Sequence, residues 1–233
     1  MLKFLLLTLV STIALGCPEV PPSLVPKTLI VTIDLCRSDY QVAYSVNLKS
    51  PIWVGEHLTS AEIKDEEVRI NAFKADPQLN KSQRSELSDY TNSGYDRGHM
   101  APAGDASSKT GMIESFYLSN MVPQVVDNNR GIWKVLEEKV RTRVLDKKDL
   151  FIFTGPIYAK NPTTIGKNNI LIPESLYKII YDAKTKEVIS FIIPNAPENT
   201  LMLNTFIVKL DQVKAKTGIQ FLKGLKVVEL KIF

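Results

Sequence analysis

The sequence predicts an α+β domain with a mixed or antiparallel central sheet flanked by helices. Short apolar runs separated by turn-like breaks recur along most of the chain, and such runs are typical of strands. Residues 129–146 instead repeat apolar residues every four positions, which is typical of a helix. Strands and helices mix without a strict βαβ alternation, which favours the α+β class.

The chain divides into a leader, a lead-in and one domain. Residues 1–16 combine an early lysine, an apolar run and small residues near their end, which predicts a secretory signal peptide rather than a membrane span. Residues 17–27 are rich in proline and predict an extended tether. Residues 28–233 contain no linker, and their length is ample for a single core. We therefore expect an exported protein that is secreted, periplasmic or anchored by a lipid to the cell envelope.

The two cysteines, Cys17 and Cys36, permit three interpretations. In an exported protein they can pair as a disulfide, or they can be two idle thiols. The stretch ALGC, which ends at Cys17, also resembles a bacterial lipobox, and a lipid on Cys17 would attach the chain to the membrane of the cell envelope. Two cysteines and two distant histidines lack the short paired spacings of a zinc site.

The elements of the domain follow from the same patterns in order. Strands are predicted at residues 28–35, 40–48, 52–58, 150–158, 170–181, 188–194 and 225–232. Residues 61–89 are more polar and irregular, and residues 116–123 form a short apolar segment. Helices are predicted at residues 129–146 and 200–216.

The stretch GYDRGHMAPAGD, residues 94–105, concentrates groups suited to phosphodiester cleavage. That reaction needs a base for water and a cation for the charge that builds on the phosphate. His99 suits the base near neutral pH, and Arg97 suits the phosphate through its planar fork of donors. On a strand, residues two apart face the same way, so we expect both side chains to act on one phosphate.

Asn129 precedes the periodic helix and has two competing interpretations. Its amide oxygen is a hard, neutral ligand that suits a magnesium ion retaining most of its waters. Asparagine is also a good helix N-cap, and from the residues alone the N-cap is the commoner role.

The composition is that of a globular protein with a mild positive charge. It is 44% hydrophobic and 23% charged, with a net charge of +4. This charge favours an anionic partner without identifying one.

Several stretches together resemble the DNA/RNA non-specific endonuclease family. They are YSVNLKSPIWVGEHL (44–58), VRINAFKADPQL (68–79), SDYTNSGYDRGHMAP (88–102) and YLSNMVPQVVDNNRGIWKVLEEKVR (117–141). The family consists of ββα-metal nucleases with a DRGH motif, related to secreted bacterial nucleases and mitochondrial endonuclease G. The resemblance implies a ββα-metal site and an endonuclease domain at residues 28–233.

The resemblance also implies roles for the central residues. His99 would be the general base that activates the attacking water. Asn129 would be the sole direct protein ligand of a hydrated Mg²⁺ ion, for which Mn²⁺ could substitute. Arg97 matches the arginine of DRGH, which supports the phosphate and the site.

Four further residues match functional positions of the family. Asn120 matches a site asparagine, and Arg69 matches an arginine that contacts substrate. Glu137 matches an acid that hydrogen-bonds metal-bound water, and Arg141 matches a contact to the transition state or leaving group. From spacing alone, Glu137 and Arg141 would instead be an ordinary i,i+4 salt bridge.

We therefore expect a metal-dependent endonuclease that cuts DNA and RNA with little sequence preference, since phosphate contacts carry no base information. One alternative is a nucleic-acid-binding module that has lost catalysis. Another is a different metal-dependent hydrolase, such as a zinc enzyme. The sequence sets neither the preference between DNA and RNA nor the oligomeric state.

Overall fold

The computed structural model describes residue 17 and residues 19–64 and 67–233. The predicted signal peptide, residues 1–16, lies outside the described residues. No helix in the described part is long and apolar enough to cross a membrane.

Strands and helices alternate irregularly along the described chain. The strands are β1 (Ile33–Cys36), β2 (Gln41–Ser45), β3 (Ser50–Thr59), β4 (Tyr95–His99), β5 (Met121–Val125), β6 (Asp149–Ile157), β7 (Thr164–Ile165), β8 (Ile170–Leu171), β9 (Ser175–Tyr181), β10 (Glu187–Pro194), β11 (Ile207–Val208) and β12 (Val228–Glu229). The α-helices are α1 (Ser60–Lys64), α2 (Leu87–Tyr90), α3 (Lys109–Ser115), α4 (Val126–Asn128), α5 (Lys134–Lys147) and α6 (Leu210–Thr217). Short 3-10 turns lie at Lys81–Gln83, Ala103–Asp105, Leu118–Asn120 and Thr200–Phe206.

A single large sheet organises the domain. Its strand order is β1-β2-β3-β6-β9-β10, with β11 and β12 both paired to β10. All pairings in it are antiparallel except that of β12 with β10. The predicted α+β class with a mixed, mainly antiparallel sheet is therefore confirmed.

The central strands are mostly apolar, and the sheet that they form is covered on both faces. Alternate residues of a strand point to opposite faces. On β6, Leu150 and Ile152 belong to a core under α5, whereas Phe151 and Phe153 belong to a core on the other face. Helix α6 covers that second face through Leu210 and Val213, among others.

The DRGH stretch lies on a separate two-stranded ribbon that leads into the main helix. Strands β4 and β5 pair antiparallel, with His99 opposite Met121. The chain then passes through α4 and an irregular helical turn, Asn129–Trp133, into α5. The turn is interrupted at Gly131, where the backbone leaves helical geometry. Two strands followed by a helix form the ββα unit that the resemblance implied.

The proline-rich lead-in packs on the domain instead of forming the extended tether that the sequence predicted. Val20 and Leu24 are buried in the second core, and Lys27 forms a β-bridge with Gln220. Apolar side chains at these positions bury favourably against the sheet, which outweighs the extended preference of the prolines.

Cys17 and Cys36 form a disulfide, with their Cα atoms 5.2 Å apart. Of the three interpretations of these cysteines, the structure has the paired one. The lipobox alternative is not supported, because the Cys17 sulfur that would carry the lipid thioether is bonded to Cys36.

Several predicted elements are divided or shortened in the structure. The strand predicted at 170–181 becomes β8 and β9, because Pro173 between them lacks the N–H that a continuous strand would use. The predicted helix at 200–216 becomes a 3-10 turn, strand β11 and α6, because Ile207 and Val208 pair with β10. Tertiary pairing here overrides local helix preference. The strands predicted at 28–35 and 225–232 shorten to β1 and β12.

Candidate active site

A cleft of about 560 Å³ opens between the loop that follows β4 and the first turns of α5. It is lined by Glu67, Arg69, His99, Pro102, Ala103, Gly104, Met112, Asn129, Arg130, Lys134, Glu137 and Arg141. Five of the seven residues singled out from the sequence therefore border one cavity.

His99 ends β4 and lies at the inner wall of this cleft. Its ring packs edge-on against Phe116, with centroids 5.0 Å apart, and lies 5.6 Å from the ring of Phe73. Burial, and then the charges of Arg69 and Arg97, lower the pKa of His99 to about 3. The imidazole is thus neutral at physiological pH. Its Nε2 atom has no hydrogen-bond partner among the described residues.

Arg97 lies two residues before His99 and contacts the same aromatic ring. Its guanidinium carbon is 4.2 Å from the centroid of the Phe73 ring. Strand alternation explains this arrangement, because residues two apart on β4 point to one side. Arg97 does not line the cleft itself, and it is connected to His99 through the Phe73 ring that both side chains contact.

Asn129 is held by an aspartate of the DRGH motif. Its amide nitrogen donates to Asp96 Oδ2 at 2.9 Å, and Arg130 donates to both carboxylate oxygens of Asp96 at 2.8 Å. Asn129 has helical backbone angles and no capping contact, so the N-cap interpretation is wrong. The bond to Asp96 fixes the orientation of the Asn129 side-chain amide, and its oxygen is the atom that remains for a ligand.

Glu137 and Arg141 lie one turn apart on α5, on the flank that faces the cleft. Burial raises the pKa of Glu137 to about 7, a rise that Asp105 reinforces and that Lys178, Arg141 and Arg69 oppose. Arg141 donates to Asp105 Oδ1 at 3.0 Å. Asp105 follows His99 by six residues, so this ion pair ties the helix to the loop after the ribbon.

Arg69 reaches the cleft from the irregular segment between α1 and α2. Its guanidinium carbon lies 5.1 Å from the centroid of the Phe116 ring, which also packs on His99. One aromatic side chain therefore contacts both the arginine and the histidine.

Asn120 is the one predicted residue that the structure places in the interior. It is fully buried, and its amide oxygen accepts from the backbone N–H of Ala101. Its amide nitrogen donates to the carbonyl oxygens of Ala101 and Ser115, each at 2.9 Å. These bonds hold the chain just after His99, so Asn120 orients the site without lining it.

The donor set at the cleft fits a hydrated divalent cation. Within the described residues, no three His, Cys, Asp or Glu side chains cluster in a way that could hold a metal. The amide oxygen of Asn129 is a hard donor at the cleft wall, and Glu137 is an acid that can accept hydrogen bonds from water. A cation with one protein ligand and a shell of water suits these residues, whereas zinc, which prefers three or four nitrogen or sulfur ligands, does not.

The sequence did not single out several residues that support the site. They are Asp96 and Asp105, which bond to Asn129 and Arg141, and Phe73 and Phe116, which pack on His99. The residues that the two aspartates contact lie 33 and 36 positions away along the chain, so no local spacing in the sequence reveals these contacts.

Comparisons with known proteins agree with this geometry. The family described as DNA/RNA non-specific endonuclease matches residues 25–228. Nuclease C1 of Cunninghamella echinulata var. echinulata is 37% identical over 212 residues, covering 83% of this chain and 84% of that protein. The mitochondrial nuclease EXOG of Danio rerio is 34% identical, and the match covers 83% of this chain but only 62% of EXOG.

A solved structure shares the fold. A chain from the crystal structure of the EndoG/EndoGI complex aligns with a TM-score of 0.80 and 30% identity, covering 86% of this chain and 91% of that one. The cleft, the ββα unit and the family match agree, and the chain is a nuclease that belongs to the DNA/RNA non-specific endonuclease family.

Proposed function

We propose that the protein is a metal-dependent endonuclease that hydrolyses DNA and RNA with little sequence preference. The observation that carries this proposal is the position of His99. A neutral imidazole, with Nε2 unpartnered among the described residues, borders a cleft that also contains Arg69, Asn129 and Arg141. Contacts of this kind address phosphates, which are the same in every sequence and in both nucleic acids.

His99 acts as the general base. A neutral imidazole can accept a proton from water as the water attacks phosphorus. Phe73 and Phe116 hold the ring in place, and Asn120 orients the loop that follows it. A bound phosphodiester would bring negative charge near Arg69 and Arg97, and so would raise the basicity of His99 from its low value in the free protein.

The cationic side chains stabilise charge on the phosphate. Arg69 and Arg141 border the cleft, and Arg97 packs on the ring of Phe73. Guanidinium groups match phosphate oxygens through paired donors. Arg141 is positioned by Asp105 and is the group we assign to the transition state or leaving oxygen.

Asn129 would hold the metal, which we propose is Mg²⁺, with Mn²⁺ as a substitute. The ion would supply positive charge to the scissile phosphate and acidic water to the site. Asp96 orients the Asn129 amide, and Glu137 accepts hydrogen bonds from water in the cleft.

Incubating the purified protein with plasmid DNA and with RNA tests this proposal. We expect both to be cleaved with Mg²⁺ and neither with a chelator. Cleavage that persists in the chelator would contradict the metal requirement. Binding without cleavage under every metal condition would instead support an inactive nucleic-acid-binding module.

A further inference from the structure

A buried lysine lies beneath the active-site helix and has no task in the mechanism above. Lys178 lies on β9 two residues after Leu176 and two before Ile180, so the three side chains share one face of the strand. Leu176 and Ile180 belong to the core under α5. The lysine is 1% exposed. Burying an ammonium group is costly unless charges or hydrogen bonds compensate, so an apolar side chain would pack there more cheaply.

Neutral partners hold the ammonium below the start of α5. Lys178 Nζ donates to Thr154 Oγ1 at 2.7 Å on the adjacent strand β6. It also lies 5.3 Å from the centroid of the Trp133 ring. Trp133 directly precedes α5, and Glu137 follows it by four residues, which places Glu137 one turn along the same flank.

Two acids lie on the same side of the sheet as Lys178, one on the sheet and one on α5. Glu56 on β3 shares the sheet face of Lys178 and is 2% exposed. Glu137 borders the cleft above it. The charged groups that act on Glu137 are Lys178 from β9, Glu56 from β3, Asp105 from the turn after β4, Arg141 from α5 itself and Arg69 from the segment before α2.

We propose that Lys178 is a positioning residue of the nuclease, whose buried positive charge beneath α5 favours the ionised form of the Glu137 carboxylate. Lys178 touches neither the cleft nor a substrate, and it acts through Glu137. The inference rests on the proposed role of Glu137 as an acceptor for water. It deepens that role by naming the group that maintains the charge of the acceptor.

The electrostatic surroundings of Glu137 support this assignment. Burial raises the pKa of Glu137 to about 7, and Lys178 is the largest influence that lowers it. His99 is affected by Arg69 and Arg97 and not by Lys178. Removing the lysine charge should therefore change the ionisation of Glu137 while leaving that of His99 in place.

The test compares pH–rate profiles of plasmid cleavage at a fixed, saturating Mg²⁺ concentration. Lys178→Met and Lys178→Gln both remove the charge, and the glutamine can keep a hydrogen bond to Thr154. Thr154→Val is the matched control, because it removes the hydrogen bond at the same place and leaves the ammonium. For both lysine variants we expect the midpoint of the acidic limb of the profile to shift to higher pH by about one unit, which is typical of losing a nearby opposite charge.

The rates at different pH values separate a charge effect from a packing effect. At pH values below the midpoint of the acidic limb, the lysine variants should cleave roughly tenfold more slowly than the wild type. Near pH 9 their rates should approach the wild-type rate. The limb of Thr154→Val should stay where it is in the wild type. A loss by the same factor at every pH would overturn the proposal, because it would indicate damaged packing alone.

A second readout uses the metal-free protein. The carboxyl carbon of Glu137, assigned by comparison with Glu137→Gln, is titrated by NMR in the wild type and in Lys178→Gln. An upward shift of its titration midpoint supports the proposal, and an unchanged midpoint contradicts it. If neither lysine variant folds, Lys178 is a requirement of the fold, and the assignment as a positioning residue is overturned.

These outcomes remain distinct from failure of the proposed function. A wild-type protein that cleaves nucleic acid, combined with lysine variants whose limb does not move, would reject only the role of Lys178. A wild-type protein that does not cleave would reject the function itself, whereas the NMR titration would still report on the charge of Glu137.

Discussion

Burial drives two titratable groups of the cleft, His99 and Glu137, toward their neutral forms, with opposite consequences. For His99, desolvation lowers the pKa to about 3, which leaves a free base at every working pH. For Glu137, desolvation raises the pKa to about 7, which brings its titration into the working range. The acidic limit of kcat/KM, which reports the free enzyme, should therefore be set by Glu137 and not by His99.

Glu137→Gln should make the protein more stable at alkaline pH. An acid whose folded pKa is raised binds more protons in the folded than in the unfolded state, so stability falls as pH rises from 4.5 toward 7. Above pH 7 the cost of the buried carboxylate is roughly 3 kcal/mol, and glutamine avoids it. Urea unfolding at pH 8 should show the gain, and unfolding below pH 4.5 should show none. Equal stability at pH 8 would mean that Glu137 is solvated like an ordinary surface acid.

Asp96→Ala should raise the magnesium concentration needed for half-maximal cleavage by roughly 10–100-fold, which is the usual loss of metal affinity when a partner that orients a ligand is removed. The reason is that the Asn129 amide loses the acceptor that fixes its orientation. Magnesium titrations of the cleavage rate measure the effect. Arg130→Ala is the control, because its exposed side chain also pairs with Asp96 but leaves the Asn129 bond intact. A similar change in both variants would show that the ion pair matters rather than the amide.

At the scale of elements, the ribbon of β4 and β5 sets the position of His99. Gly98 faces Gln124 so closely that an added Cβ would lie 2.0 Å from its Oε1 atom. Gln124 in turn donates to Asn128 at 2.7 Å, and Asn128 donates to the carbonyls of Pro194 and Ala196. The glycine therefore allows the ribbon to be tied to the main sheet just before the helix begins.

Gly98→Ala should damage both stability and activity. The methyl group must displace a buried side chain that has no free space to enter, and overpacking of this kind costs about 1–3 kcal/mol. Because His99 is the next residue, the displacement should also lower the cleavage rate. Urea unfolding and cleavage assays on the same sample measure the two effects. Wild-type values for both would mean that the ribbon is not anchored through Gln124.

Elements whose structure depends on local chemistry could be predicted from the sequence, and those that depend on distant partners could not. The helix with Leu136, Val140 and Val144 followed from its spacing, and these residues are buried as expected. The structure of residues 200–216 could not be predicted in this way, because the pairing of β11 with β10 divides the predicted helix. In the site, the DRGH motif marked His99, whereas the contacts of Asn120 and Lys178 arise only when the chain folds.

At the scale of the whole molecule, the disulfide joins the N-terminal segment to the edge of the sheet. Cys17 and Cys36 are 19 positions apart, and closing a loop of that length typically contributes about 3 kcal/mol. Neither cysteine lines the cleft. Several relatives are named as mitochondrial nucleases, so export of this chain stays a prediction.

Cys17→Ser together with Cys36→Ser should lower the free energy of unfolding by about 3 kcal/mol while the cleavage rate at room temperature stays near that of the wild type. Urea unfolding and a cleavage assay measure the two quantities. Intact mass from the native host adds a check on the N-terminus. A mature mass that begins at Cys17 and lacks two hydrogens supports signal cleavage and pairing, whereas added acyl mass would contradict the disulfide.

The proposed mechanism depends most on His99 as the base, and His99→Ala tests this role most directly. The chain has two histidines, so His57→Ala is a matched control; His57 stacks on Phe151 and contacts Asp149 instead of the cleft. The measurement is the single-turnover rate of plasmid cleavage with Mg²⁺, with nucleic-acid binding measured in parallel. We predict that His99→Ala lowers the rate by ~10²–10⁴-fold without loss of binding, and that His57→Ala changes it little. A His99→Ala variant that cleaves at nearly the wild-type rate would contradict the mechanism.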